Sequence, residues 1–171
     1  MAETVSPVTV LSEARGWDIL ASQQIGRIVV LADDVPQVFP VNYVVDGESI
    51  VLRTATGTKL NGLLQDNRVA FEVDTWDVDQ GYSVVLQGDA APITDPTELA
   101  RAKALPLKPW VPTIKTIFVR IDADRISARK FTFGPEPPRP AVGPRSTDDR
   151  WISRFGRRAI LDQATLGSSH A

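Results

Sequence analysis

The chain has 171 residues, 43% hydrophobic and 23% charged, with a formal net charge of −2; this suits one domain with a sizeable core and argues against nucleic-acid binding through a basic face. Cysteine is absent and the single histidine, His170, is next to last, which excludes disulfides, thiolate chemistry, a Ser-His-Asp triad and most zinc sites. No apolar run reaches the roughly 18 residues of a membrane helix and no basic-then-apolar leader opens the chain, so a cytoplasmic protein without a membrane partner is expected.

Residues 1–9 read as a loose lead-in. Ser12 followed by Glu13 predicts a helix start, and Ala14, Trp17, Ile19, Leu20 and Ala21 carry an apolar side to about Ser22, with Gly16 as a weak point. Arg27 to Leu31 is an aliphatic strand. Asp33-Asp34 with Pro36 makes a hairpin turn, and Val38 to Val45 is the return strand. Pro40 inside it predicts an edge position or a bulge. Asp46-Gly47 is the strongest short hairpin signal in the chain and leads to a third strand at Ser49.

A helix follows from about Thr58 to Asp66, with Leu60, Leu63 and Leu64 on one apolar face and Thr56 or Thr58 as its cap. Val69 to Asp74 alternates as a half-buried strand, and Asp77 to Gly81 is a loop. Tyr82 to Thr94 is a long strand with a bend or bulge at Gly88. Asp95-Pro96-Thr97-Glu98 opens a short helix that ends before Pro106. Leu107 to Pro112, carrying Trp110 between two prolines, is a crossing loop. Thr113 to Ile121 and Arg125 to Phe133 are read as a final strand pair joined at Asp122–Asp124.

Beyond Gly134 the composition changes. Residues 134–149 are a Pro-rich linker that cannot build a packed core. Within 150–171, Trp151, Ile152, Phe155, Ala159, Ile160 and Leu161 outline an amphipathic helix beside Arg150, Arg154, Arg157 and Arg158. It reads as an arm packing on its own domain or on a partner subunit. The architecture expected is α+β and mainly β: an antiparallel barrel over residues 10–133 with short flanking helices.

One stretch, Ile50 to Asn67, concentrates candidate chemistry. A strand ends at Arg53-Thr54, the chain breaks at Thr56-Gly57, and a helix starts at Thr58-Lys59. Two cations and three hydroxyls thus gather at a helix N-terminus, where unpaired amides and the helix dipole already favour an anion. That combination suits a phosphate monoester, since charge-assisted hydrogen bonds contribute roughly 1.5–3 kcal/mol each. It is not a Walker loop, because Gly57 is followed by threonine. Glu72, Asp74 and Asp77 are read as strand-end and loop carboxylates, and no catalytic acid or base is assigned.

The order of the pieces resembles the pyridoxamine 5′-phosphate oxidase-like, FMN-binding split-barrel family. The resemblance lies in L-S-x-x-x-x-W-x-x-L with I-G-R-I-V-V, V-F-P-V-N-Y-V-V, I-V-L-R-T-A-T-G-T-K-L, V-A-F-E-V-D, Y-S-V-V-L-Q-G-D-A, L-K-P-W-V-P and R-I-S-A-R-K. It covers roughly residues 8–133 in unbroken order. It implies a split-barrel homodimer with FMN at the subunit interface. By this resemblance Arg53, Thr54, Thr58 and Lys59 hold the FMN phosphate. The strand of Val41, Asn42 and Tyr43 faces the isoalloxazine ring with backbone and side chains. Trp110 and Arg129 are further candidates for reaching the cofactor or the partner. No R-L-x-x-R element follows Phe133, and Ala128-Arg129 stands where relatives carry Gly-Arg, so vitamin-B6 oxidase activity itself is not implied.

The function expected is therefore a flavin-dependent oxidoreductase acting on a small molecule, with the cofactor carrying the chemistry that a chain without internal His or Cys lacks. Two alternatives stand beside it. One is a reductase that uses a deazaflavin coenzyme. The other is a non-catalytic dimeric protein that binds flavin or haem.

Overall fold

A computed structural model describes residues 6–108, 110–111 and 114–136. Its elements run β1 (Val8–Leu11), α1 (Glu13–Ser22), β2 (Ile25–Ala32), β3 (Val35–Val45), β4 (Ser49–Thr54), α2 (Thr58–Gln65), β5 (Arg68–Trp76), β6 (Gln80–Pro92), α3 (Pro96–Ala104) and β7 (Ile117–Thr132). The sheet order is β1-β7-β4-β3-β2-β5-β6, and β6 pairs back onto β7 to close the barrel. All pairings are antiparallel.

The closing strand explains why the barrel is split. One edge of β7 is shared by two strands, β4 opposite residues 117–122 and β1 opposite residues 128–131. The other edge pairs with β6 along almost its whole length. Two sequence expectations are corrected here. The lead-in runs into β1, which starts at Val8, and the predicted strand pair joined at Asp122–Asp124 is one continuous 16-residue strand. The Asp-Ala-Asp segment that reads as a turn is instead a bulge. Gln87 faces Arg125 while Gly88 faces Ala123, so one residue of β7 is extra. Glycine is required there because a Cβ on Gly88 would overlap the Asp122 carbonyl.

The turns follow their residue chemistry. Asp33 and Asp34 both take positive φ, 52° and 61°, as a two-residue hairpin with the right-handed twist of its strands demands. Pro40 pairs with Arg27 of β2 but lies beyond the stretch of β3 that pairs with β4. It therefore occupies a local edge, where its missing N–H removes no ladder bond. Ser12 and Asp95 cap α1 and α3 through their side chains.

The barrel interior is filled by Phe71, Leu20, Ile28, Ile50, Leu52, Leu86 and Ile121, all essentially inaccessible. Fully burying each such side chain stabilises the fold by about 1.5–3 kcal/mol. A smaller cluster of Val51, Ile93, Ala102 and Phe118 lies on the outer face of β4 and β7, beneath α3. In α2, Leu60 and Leu63 are buried, whereas Leu64 is 67% exposed and does not belong to the apolar face expected of it. Among the described residues no helix is long and apolar enough to cross a membrane.

By internal contacts the chain divides after Gly134. The predicted Pro-rich linker, from residue 137 onward, and the predicted C-terminal helix lie outside the described residues.

Candidate functional site

The alternation of β4 decides which way its cation points. Ile50 and Leu52 enter the barrel core, whereas Val51 joins the outer cluster; Arg53, two residues on, shares the outer face. On β3 the same logic applies. Val44 pairs with Val51 and packs on the outer cluster, so Asn42 also faces outward. The β3–β4 ladder ends at Tyr43 opposite Leu52, and the next residue of each strand is Asn42 and Arg53.

Arg53 is half-buried. Its Nε donates to the Lys115 carbonyl at 2.9 Å, and Nη2 donates to the same oxygen. Its guanidinium lies 5.1 Å over the Phe118 ring, a cation–π contact. Thr54 is buried and donates its hydroxyl to the Ala55 carbonyl at 3.2 Å. Thr58 stands exposed in the first turn of α2. The expected threonine cap is not formed: the cap position is Gly57, at φ 151°, without a side-chain hydrogen bond. The start of α2 thus keeps amide donors that no side chain of its own satisfies.

Lys59 is half-buried, with Nζ 5.5 Å from the Phe39 ring centre. Burial, and then the charge of Lys115, push its amine below the ordinary lysine value. Lys115 is thus linked to both candidate cations: its carbonyl binds Arg53 and its charge acts on Lys59. None of the ion pairs among the described residues uses Arg53, Lys59 or Lys115. Sequence reasoning missed Lys115 because a strand was expected from Thr113. A loop lysine just before the strand that pairs with Arg53 was the available signal.

The strand expected to face a flavin ring divides by side. Val41 and Tyr43 point into the core. The Tyr43 hydroxyl donates to the Leu20 carbonyl at 2.6 Å, and its ring meets Phe71 edge-to-face at 4.9 Å. Burial drives the phenol far above its usual range. That corrects the expectation for their side chains, since only the backbone of Val41 and Tyr43 remains for an outer ligand. Asn42 does face out. Its Nδ2 donates to the Gln24 carbonyl at 3.4 Å and its Oδ1 accepts from the Trp110 amide at 3.1 Å. A cavity of about 380 Å³ adjoins it, lined among others by Gln23, Val44, Pro106 and Lys108.

The structure therefore joins Asn42 to the Trp110 backbone, links Arg53 and Lys59 through Lys115, and sets Thr54 and Thr58 on either side of the break before α2. Arg129 is not among them. It is exposed at the opposite end of β7, between Val10 of β1 and Ser83 of β6. The three carboxylates are structurally engaged. Arg27 bonds both Glu72, at 2.9 Å, and Asp74. Asp77 accepts from the amides of Asp79 and Gln80, which lowers its pKa. No cluster of His, Cys, Asp or Glu suited to a metal occurs among the described residues.

Comparison with known proteins follows the same outline. A crystal structure from Corynebacterium glutamicum, provisionally named a pyridoxamine 5′-phosphate oxidase, is 36% identical with a TM-score of 0.68, covering 78% of this chain and 100% of that one. An FAD-binding protein from Mycobacterium smegmatis is 40% identical with a TM-score of 0.65, covering 73% and 99%. An uncharacterized Mycobacterium tuberculosis protein is 38% identical over 95 residues, 56% of this chain and 86% of the relative. A haem-binding protein from Mycobacterium smegmatis, 19% identical, shares the fold alone at a TM-score of 0.58, covering 68% and 53%. The model of the pyridoxamine 5′-phosphate oxidase family matches residues 12–130, and the chain belongs to that family.

Proposed function

We propose that the protein is an FMN-binding, cytoplasmic oxidoreductase that works as a homodimer with the flavin at the subunit interface. The observation that carries the reading is the set of Arg53 and Lys59, both linked to Lys115, beside the uncapped start of α2, with no carboxylate paired to any of the three among the described residues. A buried or half-buried cation normally comes with an anion. A phosphate supplied by a ligand would fill that place and accept from the α2 amides at the same time. When bound, the flavin supplies hydride or electron transfer at its ring, while the chain binds, orients and shields it. In this reading Arg53, Lys59, Thr58 and the α2 amides hold the phosphate. Asn42 and the outer backbone of β3 face the ring, and Trp110 and Arg129 reach the cofactor or the partner subunit.

A second reading takes FAD in place of FMN, favoured by the 40% identity to the FAD-binding protein of Mycobacterium smegmatis. The deazaflavin coenzyme is the third candidate. Among the described residues haem finds no axial ligand. The described residues hold no His, Tyr43 is committed to Leu20, and Tyr82 packs against the barrel core.

The test is equilibrium titration with FMN, FAD and the deazaflavin coenzyme, with sedimentation analysis of the mass. Saturable FMN binding to a species of twice the chain mass is expected. Lys59→Ala weakens FMN binding by about 1 kcal/mol or more, a fivefold change. Unchanged affinity in that variant removes the phosphate assignment, and preferential FAD binding establishes the second reading.

A further inference from the structure

A second cavity, of about 440 Å³, opens beside the first on the outer face of β2 and β5, and Gln23 and Gln24 border both. Its chemistry differs from that of the cationic site. Alternation places Ile25 and Arg27 of β2 outward, with Glu72, Asp74 and Trp76 outward on the neighbouring β5. Arg27 lies directly across from Glu72 in the register and bonds both Glu72 and Asp74. One guanidinium between two carboxylates leaves one negative charge in excess. Of this cluster Arg27 and Asp74 line the cavity, with Glu72 beside them on β5, and two indoles line it as well, Trp76 and Trp110, 70% and 62% exposed.

We propose that this cleft binds a small organic cation, an ammonium or quaternary ammonium group attached to an apolar body. Two features select that class. An indole face attracts a cation within about 6 Å of its centre and suits an alkylated ammonium that water solvates poorly. The carboxylate pair attracts the same charge and repels an anion. A neutral aromatic gains only the indole contact, and an aryl carboxylate meets net negative charge. The state of Glu72 agrees: burial, and then the Asp74 charge, push its pKa up despite the bond from Arg27. A second cation relieves that repulsion. The cleft shares Trp110 with the flavin reading, whereas Arg27, Asp74 and Trp76 lie outside it, so the test uses flavin-free protein and substitutes only those residues.

The experiment is a titration of the purified, flavin-free full chain with benzyltrimethylammonium chloride, read by tryptophan fluorescence at constant ionic strength. Benzyl alcohol and sodium benzoate are the neutral and anionic counterparts. Saturable quenching by the ammonium probe alone is expected. Asp74→Asn, which keeps size and hydrogen-bonding capacity, weakens it about threefold or more, and Trp76→Ala, at an exposed position, has a similar effect. Equal responses to the three probes, absence of saturation, or wild-type affinity in folded Asp74→Asn protein overturns the assignment. Each result is independent of whether FMN binds.

Discussion

Arg53 and Arg120 share the outer face of the barrel, since Arg53 lies opposite Phe118 and Val51 lies opposite Arg120 across the β4–β7 ladder. They are held in opposite ways. Arg120, with a side chain only 15% exposed, donates to Glu98 at 2.6 Å, to Asp46 at 2.8 Å and to Ser49. It ties α3 and the β3–β4 turn to β7. Among the described residues Arg53 has a neutral carbonyl and an aromatic ring as its partners, and no carboxylate. A cation enclosed by carboxylates has its charge answered by the fold, whereas one held by neutral groups is positioned but not neutralised. The first pattern is structural, and the second suits an anion brought from outside.

Substitutions at the two arginines sharpen that contrast. Arg120→Ala leaves Asp46, among the described residues, with a distant cation contact to Arg101, at 3.9 Å, and strands a 19%-exposed carboxylate. A loss of about 2 kcal/mol is expected, below the 3–5 kcal/mol of a fully buried pair because water reaches part of the network. Denaturant unfolding measures it, and a loss under a few tenths of a kcal/mol would sink the structural reading. Arg53→Gln should do the reverse. FMN affinity falls about tenfold, near 1.4 kcal/mol, while the unfolding midpoint of the flavin-free protein moves little.

Much of this layout was legible in the sequence because local chemistry left few choices. Asp33-Asp34 tolerates the positive φ of a tight hairpin turn, Ser12 and Asp95 are side-chain caps, and Gly88 marks a bulge. The failures share a cause, namely that the deciding partner is remote in sequence. Asp122–Asp124 carries a turn-like composition, yet β6 pairs along both sides of it and keeps β7 continuous. Val8 and Val10 are too exposed to signal a strand, and β1 exists only because β7 offers a free edge beside β4. The run V-F-P-V-N-Y-V-V is apolar on both faces, so alternation alone did not separate Tyr43, which faces the core, from Asn42, which faces out. Lys115 joined the site only once β7 had been laid beside β4.

The smallest effect expected concerns Lys59, and it tests the contrast through stability. Because burial and Lys115 depress its pKa in the folded state, the native protein binds this proton less readily than the unfolded chain. The resulting cost is fully present below the folded value. It disappears as pH rises through the window between that value and the ordinary lysine value of 10.5. Lys59→Met keeps an unbranched side chain of similar length beside Phe39 and removes the charge. At pH 7 the flavin-free variant should therefore melt slightly above the wild type, and the gap should narrow as the pH is raised toward 10. Saturating FMN should invert the order, since a bound phosphate stabilises the charged amine and ligand binding adds to native-state stability. Thermal melts of both proteins with and without FMN decide it. A variant less stable at pH 7 in the absence of FMN would mean that Lys59 is answered by the fold, as Arg120 is.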